Sequence, residues 1–336
     1  MKTLSLFLVL FVFGLSATAR TVFDDSAPLR FSLSANLSFL FKHRAETDPA
    51  TVDGTLTFSD STGRLVVLHP KVKLRGNSSR QAVECPFPKL KLMFAANELS
   101  GTIFENHPTV GIGTHCSEQG RFSPLGRAWD GRSPHREVLA YEMVKMMEIP
   151  AYQARAAWIN YIESTTGKSL GTHQALLLED MDSLLSRYNG TKVTAPWQSM
   201  ANAPGVTIAQ VARIYFLEAL LGNWDWSLKM DYVGGDESNR FWNMKEIQTA
   251  DGRHIVFPYD FDLADIVTAR NRQSGLENEI PKLFTRELRM DIGLDMKVLE
   301  SDFRALGQRL ENDPQGQVYF KTQMDRFFKK LPEITR

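Results

Sequence analysis

The first part of the chain alternates polar and apolar residues in short runs, which is the pattern of half-buried strands. Two such runs, at 55–58 and 65–68, flank a segment rich in Ser, Asp and Gly, and they therefore predict a hairpin. Two further runs, at 71–74 and 89–92, alternate charged and apolar positions, so each predicts a strand with one buried face. The pattern from residue 30 to residue 94 therefore favours a β-rich segment.

Helical patterns dominate the second part of the chain. A helix is predicted to begin at Ser133 with a broad apolar face to Met147, and a strongly apolar helix is capped by Thr207 and ends at Gly222. Two strands and a short helix are predicted between them, at 156–162, 174–178 and 182–188. The segment 111–131 carries five glycines with little periodicity and is predicted to be a loop. A β-rich part followed by a helical part predicts an α+β protein with two lobes and a cleft between them.

The first residues predict a signal peptide. Lys2 precedes a short apolar run at 4–15, and Ala17, Thr18 and Ala19 supply the small residues of a cleavage site. Because about a dozen apolar residues are too few for a membrane span of roughly 20, we expect cleavage after Ala19 rather than an uncleaved anchor. We expect no membrane span in the mature chain and a secreted or periplasmic location. The predicted division is a signal peptide at 1–19, a β-rich lobe with one long helix at 20–150, and a mainly helical lobe at 151–336.

Charge and cysteine content narrow the classes of function. Lys and Arg together number 39, as do Asp and Glu, and this balance argues against nucleic acid or an anionic membrane as a partner. The two cysteines, Cys85 and Cys116, are fewer than a metal site would need. In an oxidising compartment they predict a disulfide, and two buried free thiols are the alternative.

Two acidic segments point to chemistry. Asp225 lies among tryptophans directly after the apolar helix, and Asp260 and Asp262 lie among aromatic residues at the end of an apolar strand. A carboxylate beside bulky aromatic rings needs a cation or hydrogen-bond donors, because burial penalises an unpaired charge. Mg²⁺ with phosphate oxygens is one such partner. Helix capping or pairing with arginine is the structural alternative, and a hydrolase with Asp225 and Asp260 as paired carboxylates is another functional one.

Five short segments follow one another in a recognisable order. They are RGNSSR with CPFP at 75–88, THC at 114–116, REVLAY at 136–141, GNWDWS at 222–227 and PYDFD at 258–262. Together they resemble the spore-coat protein H (CotH) kinase family, and among its members a group of exported bacterial proteins of unassigned role. The resemblance covers about residues 70 to 267.

The resemblance implies an atypical protein-kinase fold that holds ATP and Mg²⁺ (or Mn²⁺) between its lobes and transfers phosphate to a protein or cell-surface hydroxyl. Such chemistry uses positive charge on the phosphates, a carboxylate beside the attacking hydroxyl and oxygen ligands for the metal. The matching nucleotide positions are Arg75, Asn77, Ser78, Arg80, Lys89, Lys91 and Glu179. Asp225 matches the catalytic carboxylate, and the matching metal ligands are Asn243 with Asp260 or Asp262.

One departure from the family pattern keeps a second interpretation open. Related exported proteins carry a lysine strand just before the THC segment, whereas 110–113 reads VGIG in this chain. If the lysine that binds nucleotide belongs to that strand, the protein is a catalytically inactive kinase-like envelope protein that acts as a binding module.

The lysine strand at 89–92 leads to a geometric expectation. Period-two geometry places Lys89 and Lys91 on one face, which is expected to line the cleft. The alternating leucines, Leu90 and Leu92, are expected to pack against the helix at 136–147, where Glu137 or Glu142 would pair with one of the lysines.

Overall fold

The computed structural model describes residues 21–193, 203–228, 241–270, 294–310 and 312–334, so the predicted signal peptide and its cleavage site lie outside the described residues. The strands, in chain order, are β1 (Leu29–Ala35), β2 (Thr51–Ser59), β3 (Leu65–Leu68), β4 (Lys71–Leu74), β5 (Leu90–Met93), β6 (Thr109–Gly113), β7 (Arg121–Phe122), β8 (Ala128–Trp129), β9 (Ala154–Glu163), β10 (Lys168–Glu179), β11 (Gly190–Lys192), β12 (Ser227–Leu228), β13 (Phe241–Trp242), β14 (Met244–Thr249) and β15 (His254–Pro258). The helices are α1 (Leu37–Lys42), α2 (Ala96–Leu99), α3 (Ser133–Met146), α4 (Met181–Arg187), α5 (Ile208–Leu221), α6 (Asp265–Thr268), α7 (Met296–Gln308) and α8 (Pro314–Ile334). Among the described helices, none has the length and apolar character that crossing a membrane requires.

Eight strands form the main sheet, in the order β1-β9-β10-β6-β5-β4-β2-β3. β1 runs parallel to β9 and also pairs antiparallel with β2, so both of its edges are hydrogen-bonded. β9 and β10 follow α3 in sequence and yet lie inside the sheet, which therefore continues beyond residue 150, where the sequence places the boundary between two lobes. The combination of this sheet with the helices confirms the α+β class, whereas the division into two lobes stays a prediction.

One face of the main sheet is covered by a first apolar core. Alternation along β5 buries Leu90 and Leu92 in this core, together with Ile112 of β6 and Leu177 of β10. The apolar residues of α3 belong to a different core, so the expectation that Leu90 and Leu92 pack against α3 is wrong. Alternation separates the two faces of a strand, but it does not say which face meets which helix.

The opposite face of the sheet packs against helices in a second core. Leu176 and Leu178 of β10 lie there with the apolar residues of α3, α5 and α6. Thr207 caps α5 through a capping box, and Gly222 ends the helix in a left-handed conformation, as the sequence predicts. Because Lys89 directly precedes Leu90 on β5, its side chain is on this helix-facing side.

The segment between the two cysteines contains more regular structure than its glycines suggest. Cys85 and Cys116 form a disulfide, which confirms that prediction. The predicted loop at 111–131, however, begins inside β6, which pairs with β5 on one side and β10 on the other. A Cβ atom at Gly111 would lie 2.1 Å from Nη1 of Arg75, so the glycine leaves the space that this guanidinium occupies.

A buried ion pair fixes the last helix to α3. Arg136 is 1% exposed, and its Nε and Nη2 atoms donate to the carboxylate of Asp313, which precedes α8. The Nη2 atom also lies 2.7 Å from Oδ2 of Asp130. Asp313 in turn accepts the backbone N–H of Gly316 in the first turn of α8. The arginine of the REVLAY segment is therefore an anchor between helices.

Candidate functional site

Lys89 and the aspartates of the PYDFD segment meet on the helix-facing side of the sheet. Lys89 lies directly before β5, and Asp260 and Asp262 follow the end of β15. The Nζ atom of Lys89 is 2.9 Å from Oδ1 of Asp260 and 2.7 Å from Oδ2 of Asp262. Burial alone would lower the pKa of Lys89, but the two carboxylates outweigh burial and raise this pKa above its ordinary value. A protonated lysine therefore bridges both aspartates.

The two aspartates differ in their surroundings although they are two residues apart. Oδ2 of Asp262 also lies 2.7 Å from Nε of Arg127, and Nη1 of that arginine lies 3.2 Å from Oε2 of Glu84. Burial would raise the pKa of Asp262, but Lys89 and Arg127 hold it well below its usual range. The Asp262 side chain is 9% exposed and that of Asp260 is 36% exposed. Asp260 is therefore the carboxylate that a ligand can reach.

Arg75 and Glu137 add one charge of each sign around Lys89. The backbone N–H of Arg75 donates to the carbonyl of Lys89 at 3.0 Å, which places the two residues side by side on neighbouring strands. Glu137 of α3 is buried, and burial raises its pKa to about 7 although Lys89 acts in the opposite direction. Arg75 also lowers this pKa, so its charge acts on the same buried group.

Asp225 lies on the turn between α5 and β12, where two side chains orient its carboxylate. Oδ1 accepts a hydrogen bond from Nε1 of Trp242 at 2.6 Å, and Oδ2 accepts one from Nδ2 of Asn243 at 3.0 Å. Burial raises the pKa of Asp225 against the hydrogen bond from Trp242, and the negative charges of the two PYDFD aspartates raise it further. The three aspartates therefore act on one another electrostatically.

Asn243 connects the Asp225 turn to the PYDFD segment. Its backbone carbonyl accepts the N–H of Tyr259 at 3.0 Å, next to Asp260. Asn243 and Asp260 have φ values of 52° and 64°, a left-handed conformation that, apart from glycine, Asn and Asp adopt more readily than other residues. Conformations of this kind cost energy and concentrate at functional sites.

A buried pair, Glu218 and Asn223, supports the turn that carries Asp225. The backbone N–H of Asp225 donates to Oδ1 of Asn223 at 3.1 Å, and Nδ2 of Asn223 donates to Oε2 of Glu218 at 2.8 Å. Glu218 and Asn223 are both fully buried, and burial raises the pKa of Glu218 to about 8. A carboxyl group of α5 therefore holds the loop that carries Asp225.

The charged residues described so far form one cluster around Lys89, called the Lys89 cluster. Several residues that the sequence assigns to nucleotide binding lie at the border of this cluster or away from it. Ser78 lies at the border, because its Oγ accepts from Nη2 of Arg127 at 3.4 Å. Lys91 is half-buried opposite Gly111 on β6, and Asn77 is exposed. The side chain of Arg80 donates a hydrogen bond to the backbone carbonyl of Glu46 at 2.7 Å, so its partner lies outside the cluster.

Two glutamates also have partners outside the cluster. Glu179 accepts from Nε and Nη2 of Arg187 and from the backbone N–H of Gln153, which gives it a structural role at the end of β10. Glu142 of α3 pairs with Arg309, so of the two glutamates proposed for a lysine, Glu137 is the one near Lys89.

No pattern in the sequence marks Arg127 and Glu84, which hold Asp262, or Trp242, which orients Asp225. Arg127 lies in the glycine-rich segment, 135 residues before Asp262, and no local pattern marks it. Glu84 directly precedes Cys85. The predicted disulfide is therefore the one feature of the sequence that indicates an ordered segment around Glu84.

Comparisons with known proteins leave the family open. No protein-family model matches the chain, and no curated protein matches it, so the resemblance to the CotH family is not confirmed. Among solved structures, the proinflammatory kinase CtkA of Helicobacter pylori matches over 74% of this chain and 92% of its own, with 10% sequence identity and a TM-score of 0.37. A likeness of this size carries no argument about function, which has to come from the site itself.

Proposed function

We propose that this protein is an exported, metal- and ATP-dependent phosphotransferase that acts on a hydroxyl group of a protein or of the cell surface. The observation that carries the proposal is the position of Lys89, buried between Asp260 and Asp262 and within electrostatic reach of Glu137. Phosphoryl transfer needs positive charge on the phosphates and carboxylates for the metal and the attacking hydroxyl, and this cluster supplies both signs.

Each residue of the cluster has a role in this proposal. Lys89 and Arg75 would neutralise the phosphates, since the two residues are adjacent and the charges of both act on Glu137. Asp225 would accept the proton of the attacking hydroxyl, and burial, which raises its pKa, makes it a stronger base than an exposed aspartate. Asp262, which pairs with both Lys89 and Arg127, would hold these two side chains in place.

The donor set fits a magnesium ion that is completed by phosphate. Among the described residues, no three His, Cys, Asp or Glu side chains are grouped to hold a metal by themselves. Mg²⁺ at phosphoryl-transfer sites is bound by one or two carboxylates together with substrate phosphates, so a complete protein cage is not required. Asp260 would supply a carboxylate oxygen and Asn243 its amide oxygen, because Nδ2 of Asn243 already donates to Asp225. Bound there, the metal would neutralise charge that develops on the phosphates.

Incubation of the purified protein with labelled ATP and Mg²⁺ or Mn²⁺ tests the proposal, since self-labelling needs no known substrate. We expect incorporation of phosphate, and we expect Asp225→Asn to reduce the rate by at least about 100-fold because a positioned general base contributes that much. Asp251→Asn, at the exposed turn of the β14–β15 hairpin, is the matched control and should retain the rate. A wild-type protein that neither incorporates phosphate nor binds nucleotide with metal would contradict the proposal.

A catalytically inactive binding protein is the second candidate, and one observation favours it. β6 carries no lysine, and the place over Gly111 is taken by the guanidinium of Arg75. In that case nucleotide binding would persist without phosphate transfer, and Asp225→Asn would leave that binding unchanged.

A further inference from the structure

The main sheet has a surface that the helices leave uncovered. Along β9, Ala154 and Ala156 lie in the core beneath the helices, whereas Trp158 and Asn160, further along the same face, are partly exposed. The face of the sheet that packs against helices at one end is therefore open to solvent at the other. This open surface lies on strands other than those that carry Lys89 and Arg75.

Cross-strand register arranges the open surface in two polar rows. Arg30 of β1, Trp158 of β9 and Gln174 of β10 are paired in one row. The neighbouring row runs from Thr57 of β2 through Ser32 and Asn160 to Thr172 of β10. Four adjacent strands span about 14 Å, so the second row is an extended line of neutral hydroxyl and amide groups. These groups can each donate and accept hydrogen bonds.

Two cavities of about 390 Å³ each flank Trp158, which lines both of them. The first contains the row of Ser32, Asn160 and Thr172. The second contains Gln174 with two carboxylates, those of Glu118 and Asp130. The two cavities therefore adjoin at this tryptophan, and together they are called the groove.

Gln174 gives an independent indication of a ligand. Its residue is 7% exposed, and its Oε1 atom is buried without a hydrogen-bond partner although it belongs to the lining of the second cavity. Buried polar atoms in folded proteins almost always have a partner, and each exception calls for an explanation. Rotation of the Gln174 side chain toward the cavity that this residue lines would let the atom accept a hydrogen bond from a ligand hydroxyl.

We propose that this groove, centred on Trp158, is a carbohydrate-binding surface, and that its ligand is a neutral oligosaccharide chain. A sugar ring has an apolar face of C–H groups that packs on an indole, and a rim of hydroxyls that bond to amides, hydroxyls and carboxylates. The groove supplies both kinds of group. Arg30 lies over the Trp158 ring, with its Cζ atom 5.4 Å from the ring centroid, so a sugar that packs on this face would displace the guanidinium. The proposal concerns a site separate from the Lys89 cluster, so it stands or falls independently of the phosphotransferase function.

Other classes of macromolecule fit the groove less well. A peptide that joins a sheet usually adds to a free strand edge, but Trp158 and Asn160 lie on β9, which β1 and β10 pair on both edges over 157–163. Nucleic acid needs a field of positive charge, whereas here Arg30 and Arg132 are accompanied by Glu118 and Asp130. A neutral chain that is rich in hydroxyl groups needs neither a strand edge nor a net charge.

Native affinity electrophoresis of the full chain tests the proposal, with hydroxyethylcellulose, arabinoxylan, galactomannan and soluble starch as neutral probes and polygalacturonate as a charged one. We expect retardation by at least one neutral polysaccharide. Calorimetric titration with the hexasaccharide of that backbone should then show at least tenfold weaker binding for Trp158→Ala and for Gln174→Ala. Trp224→Ala, which removes an exposed tryptophan from the Asp225 turn, is the matched control and should bind as the wild type does.

A further variant keeps the test valid if Trp158→Ala does not fold. Thr172 is exposed on β10, so Thr172→Arg should fold and yet block the row of hydroxyls beside Asn160, with at least a tenfold loss of binding. The proposal is overturned by a wild-type protein that none of the neutral probes retards, by retardation with polygalacturonate alone, or by neutral-probe binding that survives both Gln174→Ala and Thr172→Arg. Asp225→Asn should leave sugar binding intact, which separates this result from any failure of the phosphotransferase proposal.

Discussion

Glu218 makes the stability of the protein depend on pH in a direction opposite to that of most carboxylates. Burial raises its pKa from the ordinary 4.5 to about 8, while the hydrogen bond from Asn223 acts against this shift. Between these two values the folded state holds a proton that the unfolded state has released. The contribution of Glu218 to the free energy of unfolding is therefore largest below the ordinary pKa, and it is lost as pH rises through the pKa of the folded state.

The size of the effect follows from the shift. Each unit of pKa corresponds to about 1.4 kcal/mol. Because the slope is smaller near each of the two pKa values, the loss from about pH 5 to about pH 8 amounts to roughly 3 kcal/mol rather than the full three units. Glu218→Gln keeps an oxygen that can accept from Asn223 but removes the titration. We therefore expect the free energy of unfolding of the wild type, relative to that of the variant, to fall by about 3 kcal/mol over this range.

Urea unfolding followed by tryptophan fluorescence measures this change, with wild type and variant compared at both pH values. The quantity compared is the change between the two pH values. Any cost of the amide that does not depend on pH, such as that of its unpaired N–H groups, therefore cancels. Glu105→Gln, at an exposed position, reports what the substitution itself contributes. A gap between wild type and variant that changes by less than about 0.5 kcal/mol would refute the reasoning, because that is near the uncertainty of the extrapolation.

Two further predictions concern the segment that holds Asp262. Arg127→Met should lower the free energy of unfolding by about 3 to 5 kcal/mol, because it leaves Glu84 without its buried partner. The control, Arg64→Met at an exposed pair with Asp60, should change this free energy by less than about 1 kcal/mol. Equal effects of the two variants in urea unfolding would contradict the structural role of Arg127. Replacing Cys85 and Cys116 by serine should cost about 3 to 4 kcal/mol, given a sequence separation of 31 residues, and an unchanged melting temperature would show that the closed loop contributes nothing.

Local signals in the sequence were enough for the elements whose stability is local. Thr207 and Gly222 mark the ends of α5 because capping depends on a few neighbouring residues, and the hairpin of β2 and β3 follows from alternation around a turn. β6 could not be found in this way. Its run from Thr109 to Gly113 contains two glycines, and it is a strand because β5 and β10 bind it from both sides.

The site shows the same limit more sharply. The order of motifs points to Asp225, to Lys89 or Lys91, and to Asp260 or Asp262, and the structure places charged partners around Lys89 and Asp260. The sequence left Asp260 and Asp262 equivalent, because two carboxylates on either side of one phenylalanine have the same local chemistry. A distant residue, Arg127, pairs with Asp262 and so distinguishes the two.

That difference has a consequence for how the proposed reaction would use the cluster. If Lys89 turns from the aspartates to a phosphate, Asp262 keeps the guanidinium of Arg127 at 2.7 Å and stays compensated. Asp260 has its ion pair with Lys89, is the more exposed of the two, and would be left as a carboxylate in need of a cation. A divalent metal held by Asp260 together with phosphate oxygens would supply that cation. Nucleotide and metal would therefore bind cooperatively, and Asp260, rather than Asp262, would be the ligand that couples them.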